Sequence, residues 1–424
     1  MAARLPYTLL LYLLVPYALC RLVWRARRQP AYLKHVPERF GYYSERPAAP
    51  VIWIHAVSVG ETRAAEVLVR AFQEACPAHR ILLTHMTPTG RETAERLFDA
   101  SVFRCYLPYD LPGAVARFLD RFRPTVGIIM ETEVWPNLIQ ACRTRDIPLY
   151  LVNARLSAKS QMRYRRFARL ARDALHGLSA VAAQSQHDAE RFTALGARAV
   201  SVTGNLKFDV APPATLCTLG LEWRERYGAR PVLLAASTRE GEEALLLERW
   251  RTLDVPGALL VIVPRHPQRF DAVAQLLERS GYGWQRRSAD ERIAERTEIV
   301  LGDSMGEMFA YYSACDVAFV GGSLLPFGGQ NMIEPCAVGK PVLFGPHTYN
   351  FSEAAEQAVA AGAARRVADA DELMREARRL LTDPMGARRM GEAGIAFVDT
   401  HRGATERVLT LIRSGGTGSR LTPG

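Results

Sequence analysis

A glutamate that follows a glycine at the end of an apolar run is well placed to do chemistry. The segment His55-Ala56-Val57-Ser58-Val59-Gly60-Glu61 closes the strand-like run Val51 to Ala56, so Glu61 falls in the turn or the first residues of the next helix. A carboxylate there can act as a general base when its surroundings tune its pKa and a substrate hydroxyl comes within hydrogen-bond reach. It can equally serve only to complement a helix dipole. At the same level, Glu131 and Glu133 follow the run Thr125 to Met130, one acid suited to chemistry and the other to starting a helix. In the second half, GGSLLPFGGQNMIEPCAVGKPVLFGP runs from Gly321 to Pro346. Its glycines let backbone approach a phosphate, and a helix expected to begin near Asn331 favours an anion at its start. Glu334 can stabilise that first turn or accept both hydroxyls of a ribose; a capped structural loop would look the same. Two further strand ends, Val263-Pro264-Arg265-His266-Pro267 and Gly302-Asp303-Ser304-Met305-Gly306-Glu307, add an arginine for a phosphate or sugar carboxylate and a second helix start. Three such loops in one half, each suited to a nucleotide, point away from coincidence.

These residues need a scaffold that brings strand ends together. Short β-rich runs alternate with amphipathic stretches, the pattern of parallel sheets built from βαβ units. Strands are expected at Val51 to Ala56, Ile81 to His85, Thr125 to Met130, Leu149 to Asn153 and Val200 to Thr203. Helices are expected at Thr62 to Glu74, Pro112 to Phe122 and Ala158 to His176. A second series takes in Val232 to Ala235, Leu259 to Val263, Glu298 to Leu301, Val317 to Val320, Pro341 to Phe344 and Ala364 to Val367. Between the series, FDVAPPAT from Phe208 to Thr215 suits a hinge. The fold class is therefore α/β with two doubly wound domains, and ligands are expected in the cleft facing the strand carboxyl ends. Neither half carries GxGxxG after its first strand or a Walker GxxxxGKS, which disfavours a dinucleotide dehydrogenase or a P-loop enzyme.

Length agrees: 424 residues at 48% apolar exceed what one core usually supports. The seven cysteines are scattered, with no CxxC or Cys/His ligand spacing, which argues for reduced thiols and against structural zinc. A net charge of +10, mostly from arginine, favours an anionic partner without choosing among nucleic acid, headgroups and phosphorylated substrates. The run LPYTLLLYLLVPYALCRLVW, Leu5 to Trp24, has the length of a membrane span, although Pro6, Pro16 and Arg21 weaken it. Crossing and flat insertion both fit; a cleaved signal peptide fits less well, because no A-x-A-like exit follows. Arg21 near the end of the run and Arg25, Arg27, Arg28 and Lys34 after it place the body in the cytoplasm by the positive-inside rule. Among the internal motifs, Arg163, Arg165, Arg166, Arg169 and Arg172, interleaved with Tyr164 and Phe167, suit phosphates or a bilayer surface, or a solvated helix face.

With HAVSVGE, METEVWPN, VTGNLKFD, AASTREGEE, VPRHPQRF, GDSMGEM and the long glycine-rich segment in this order, the chain closely resembles the bacterial 3-deoxy-D-manno-octulosonic acid (Kdo) transferases. The resemblance runs from the N-terminal anchor to about Arg413. It implies a GT-B fold: an anchor at 1–28, an acceptor-binding domain at 29–207, a linker at 208–217, a donor-binding domain at 218–413 and a flexible tail at 414–424. It implies transfer of Kdo from CMP-Kdo to the lipid A precursor (lipid IVA) at the cytoplasmic face of the bacterial inner membrane. Partners are then donor, acceptor and the phospholipid surface, with no nucleic acid. By the same resemblance Glu61 matches the catalytic base, Glu131 and Lys207 match assisting positions, and CMP-contacting positions fall at Pro264, Arg265, Met305, Gly306, Glu307, Asn331, Met332, Ile333 and Glu334. Related sequences often read Asn-Pro-Leu-Glu where this one has Asn331-Met332-Ile333-Glu334. No cofactor or metal is called for, because the donor half has no strand-end DxD and CMP carries one phosphate. Rival readings are another GT-B transferase, a non-hydrolysing nucleotide-sugar epimerase of the same architecture, and a catalytically silent membrane scaffold.

Overall fold

Apolar runs buried in the middle of each sheet, with partly exposed strands at the edges, form two all-parallel sheets in the computed structural model, which describes residues 4–417. The first sheet holds β1 (Val51–His55), β2 (Arg80–His85), β3 (Val102–Tyr106), β4 (Pro124–Met130), β5 (Leu149–Ala154), β6 (Ala180–Ala183) and β7 (Val200–Val202), in the order β3-β2-β1-β4-β5-β6-β7. The second holds β8 (Val232–Thr238), β9 (Leu259–Pro264), β10 (Trp284–Arg286), β11 (Ile299–Leu301), β12 (Val317–Val320), β13 (Val342–Phe344) and β14 (Ala364–Arg366), ordered β10-β11-β9-β8-β12-β13-β14. Both sheets reverse direction of growth beside their first strand, between β1 and β4 and between β8 and β12. Those are the switch points at which doubly wound sheets open a crevice beyond the strand carboxyl ends.

Each sheet is buried on both faces. In β1, Ile52 and Ile54 join one core with Leu68, Phe72 and Ile128, while Val51 and Trp53 join another with Phe118 and Leu151. In the second sheet Leu233 and Ala235 pack against Trp250, Ile262 and Leu373, and Val232 and Leu234 against Trp223, Val261 and Tyr311. Alternation along one strand thus feeds two helical layers.

Four expectations need correction. Strands β3, β6 and β10 were not expected from the sequence. The expected single helix from Ala158 to His176 is two, Ala158–Arg165 and Ala168–Leu175, because Phe167 leaves helical geometry at φ −122° and ψ 39°. The helix near Asn331 starts at Ile333 and spans only Ile333–Ala337. The compact units are Met1–Asp209 with Arg402–Gly424, and Val210–His401, so the second does not reach Arg413. The cause is local: Gly403 turns the chain at φ +89°, and Asp209 accepts the Gly403 and Ala404 N–H groups at 2.7 and 3.2 Å, capping the helix Ala404–Ile412. Ala404, Val408, Leu409 and Ile412 then enter the core built on Ile52 and Ile54. Of the expected tail, residues 418–424 lie outside the described residues.

Candidate active site

In the first unit, β1 and β4 deliver Glu61 and Glu131 to either side of the switch point. Ser58 caps the helix Val59–Ala75, and Glu61 answers it: Ser58 Oγ donates to Glu61 Oε1 at 3.0 Å and Val57 N–H donates to Oε2 at 2.8 Å. This Ser-x-x-Glu arrangement is a capping box shifted by one residue. Both oxygens of the Glu61 carboxyl are thus engaged in closing the start of this helix. Burial pushes the Glu61 carboxyl up to about 8, and the negative charges of Glu131 and Glu133 add to the rise, against the pull of its two hydrogen bonds. Near neutral pH such a carboxyl is mostly protonated, and its ionised form, the one able to take a proton from a hydroxyl, grows as pH rises toward that value.

Lys207 reaches the same end of the sheet from the turn after β7. Asn153, at the end of β5 with φ +53°, accepts the Leu206 N–H on its Oδ1 at 3.1 Å and so fixes that turn. Asparagine tolerates this left-handed conformation better than most residues. Burial lowers the Lys207 pKa, while the Glu131 and Glu61 carboxylates act to raise it. Glu61, Glu131 and Lys207 thus form one electrostatic cluster. His55 and His85 lie behind it, both fully buried and pushed down by that burial to about 3 and about 4. They are neutral at physiological pH; His85 Nδ1 bonds the Ala56 carbonyl at 2.9 Å.

In the second unit, four strand-end segments meet at one edge of the sheet. Pro264 ends β9 and Arg265 follows it, Gly302 to Glu307 follow β11, and Gly321 to Leu324 follow β12, beside Thr238 at the end of β8. Arg265 donates from Nε to Gln330 Oε1 at 3.1 Å, which ties the β9 end to the segment entering Asn331. Asn331 Nδ2 donates to Glu334 at 3.1 Å, and Asn331 Oδ1 accepts the Ile333 N–H at 3.1 Å. Met332 and Ile333 are buried, so toward a ligand these two residues offer backbone only. Met305 and Gly306 are exposed; Glu307 takes an ion pair from Arg287 at 3.1 Å.

The glycine-rich loop does not present its amides as expected. Gly322, Ser323 and Leu324 donate their N–H groups to the Glu242 carboxylate at 2.6, 2.9 and 3.0 Å, and Arg239 N–H joins them at 2.9 Å. An internal carboxylate occupies the cradle. Glu243 beside it binds Arg269 through two bonds of 2.6 and 2.9 Å and the Thr238 hydroxyl at 2.6 Å, locking the β8 and β9 ends together. Neither acid was singled out in the sequence; the available signal was two glutamates opening a helix directly after a strand end. Gly321 is needed for a different reason. A Cβ there would lie 2.7 Å from Thr238 Cα and 2.8 Å from Ser237 O, both backbone. Gly321→Ala is expected to cost about 1–3 kcal/mol by overpacking, read as a lower midpoint in thermal denaturation; an unchanged midpoint would show that β8 and β12 can spread.

Comparison with known proteins shows the family. The family described as "3-Deoxy-D-manno-octulosonic-acid transferase (kdotransferase)" matches residues 34–210. The chain is 46% identical to the 3-deoxy-D-manno-octulosonic acid transferase of Bordetella pertussis over 421 residues, covering 95% of this chain and 98% of that one. It is 39% identical to the enzyme of the same name from Haemophilus influenzae, covering 97% and 98%. Among solved structures, the UDP-GlcNAc 2-epimerase from Neisseria meningitidis superposes with a TM-score of 0.58 at 15% identity, covering 86% of this chain and 100% of that one. The epimerase likeness is one of fold alone.

Proposed function

The chain belongs to the Kdo transferase family and is a glycosyltransferase, and from that premise we propose that it moves Kdo from CMP-Kdo to a lipid A precursor, lipid IVA, with Glu61 as the base. A glucosamine 6-hydroxyl attacks the anomeric carbon of Kdo, the new C–O bond forms as the bond to the CMP phosphate oxygen breaks, and Glu61 takes the hydroxyl proton. Attack opposite the departing CMP inverts the configuration. Glu131 and Lys207 supply charge at the transition state, where preorganised groups count most. Pro264, Arg265, Met305 to Glu307 and Asn331 to Glu334 hold the donor, with Arg265 as the cation for its anionic groups. The reaction takes place at the cytoplasmic face of the inner membrane, where a lipid acceptor meets a soluble donor.

The observation that carries this reading is Glu61: a buried carboxyl at a sheet switch point, raised to about 8 and sharing its surroundings with Glu131 and Lys207. The test is to incubate the purified chain with CMP-Kdo and tetraacylated lipid A precursor and weigh the lipid. A gain of one or more Kdo units is expected, and the number of units gives the number of successive transfers. No gain with demonstrably intact substrates would overturn the acceptor assignment.

A further inference from the structure

The apolar N-terminal helix, Arg4–Ala26, is long and apolar enough to cross a membrane. Its contacts describe another arrangement. Near its start, the Tyr7 hydroxyl donates to Asp110 Oδ2 at 2.9 Å and Thr8 Oγ1 donates to Asn137 Oδ1 at 3.1 Å. Both acceptors are buried parts of the first unit, with exposures of 2% and 5%. Asp110 also accepts the Asn137 and Leu138 N–H groups at 2.9 and 2.7 Å, so the latch is built into the start of the helix Pro136–Thr144. Midway, Tyr12, Val15 and Pro16 face Phe40, Leu111, Ala114 and Arg117 across a groove. At the far end Leu22 and Ala26 are buried.

The less exposed positions recur at Arg4, Thr8, Leu11, Val15, Ala18, Leu22 and Ala26, steps of three and four that mark one face along the whole helix. From Tyr7 to Ala26 the axis runs roughly 28 Å at 1.5 Å per residue, close to the ~30 Å of a hydrocarbon layer. A crossing helix would carry Tyr7 to the far headgroups and could not keep its bonds to Asp110 and Asn137 without drawing loops of the first unit into lipid. Irregular backbone exposed to hydrocarbon is not tolerated.

We propose that this helix does not cross the bilayer but lies flat in one leaflet, latched to the first unit by Tyr7–Asp110 and Thr8–Asn137. Its outer face seats the unit on an anionic phospholipid surface. That face exposes Leu5, Leu9, Leu13, Tyr17 and Trp24 at 56–77%. Arg21, Arg27 and Arg28, exposed at the same end as Trp24, complement anionic headgroups. The latch also ends on Asn137, in the METEVWPN segment that carries Glu131, so membrane seating and the acidic cluster share one stretch of chain. The inference rests on the membrane association in the proposed function and is independent of the acceptor's identity.

Two measurements test it on the full chain. In inside-out membrane vesicles, with the large domains outward, a protease-cleavable tag added at the N-terminus is expected to be cut without lysis. Cutting only after detergent would overturn the flat seating and establish a crossing helix. Separately, the protein is expected to float with phosphatidylethanolamine–phosphatidylglycerol vesicles, and L9S/L13S to weaken that partition at least about tenfold, from the apolar area withdrawn, with thermal melting unchanged. Absence of flotation by the parent protein would overturn membrane seating altogether; equal partition by the variant would show that lipid contacts another face.

Discussion

Replacing Glu61 by glutamine is expected to reduce Kdo transfer by at least about 100-fold, the lower range for losing a general base, while CMP affinity and folding are retained. Glutamine keeps the length of the side chain and a carbonyl oxygen able to accept from Val57 N–H or Ser58 Oγ, the two donors that Glu61 satisfies. What it lacks is the ability to take a proton. The pH dependence sharpens this. Burial, aided by Glu131 and Glu133, lifts the Glu61 carboxyl to about 8, so its ionised fraction grows about tenfold per pH unit below that value. Transfer by the parent enzyme is therefore expected to climb between pH 6 and 8 and then level off, and the glutamine variant to lack that rise. Near-normal turnover in the variant would move the base to another residue.

Linkage gives an independent sign. The folded-state pKa of Glu61 lies above its ordinary value of 4.5. Its contribution to stability is therefore complete below about 4.5 and is lost as pH rises through about 8, where the ion must be held in a buried place. Against the parent, Glu61→Gln should thus gain relative stability from pH 5 to pH 8. Denaturant titrations of both proteins at the two pH values check this, and a parallel pH dependence would contradict it.

How much of this could be read from the chain depends on where each residue's partners lie. The strands β1, β4, β9 and β12 were legible because they are largely apolar and buried on both faces, and β4, β9 and β12 are followed at once by a glycine or a charged residue. Strand β6 was not, because Ala180-Val181-Ala182-Ala183 has helix-favouring alanines and takes its strand geometry from pairing with β5 and β7. Strand β10, Trp284–Arg286, is a partly exposed edge strand with two polar residues in three, and β3 carries Arg104 in its middle. Glu61 could be located from its place after Gly60, but nothing local decided between cap and base; the structure shows the cap's hydrogen bonds and a burial that raises the carboxyl pKa. The division of the chain was misjudged at its end because the cue, Asp209 capping the helix after Gly403, joins residues almost 200 positions apart. Separation along the chain also hid Glu242. In Arg239-Glu240-Gly241-Glu242-Glu243 it reads as part of a solvated acidic run, whereas its three glycine-loop donors lie 80 to 82 residues away.

That carboxylate sets the second large expectation. Glu242→Ala would strand three buried backbone donors, those of Gly322, Ser323 and Leu324, each costing about 1–3 kcal/mol when unpaired, and the part-buried one of Arg239. Water entering the vacated space would repay part of this, so a net loss of about 3 kcal/mol or more is expected, seen as a thermal midpoint lower by roughly 10 °C. The loop these donors fix leads directly into Gln330, which holds Arg265, and into Asn331 and Glu334. CMP affinity, measured by calorimetry below the midpoint, is accordingly expected to fall at least tenfold, although the Glu242 carboxylate is engaged by backbone N–H groups of the chain itself. Glu242→Gln discriminates between charge and shape. Its oxygen keeps one side of the cradle while its NH2 faces donors on the other, so it should stand between the parent and the alanine variant in both midpoint and affinity. If alanine lowered the midpoint and left CMP affinity untouched, the loop would be a structural device of the fold alone, and donor recognition would rest on the β9 and β11 ends.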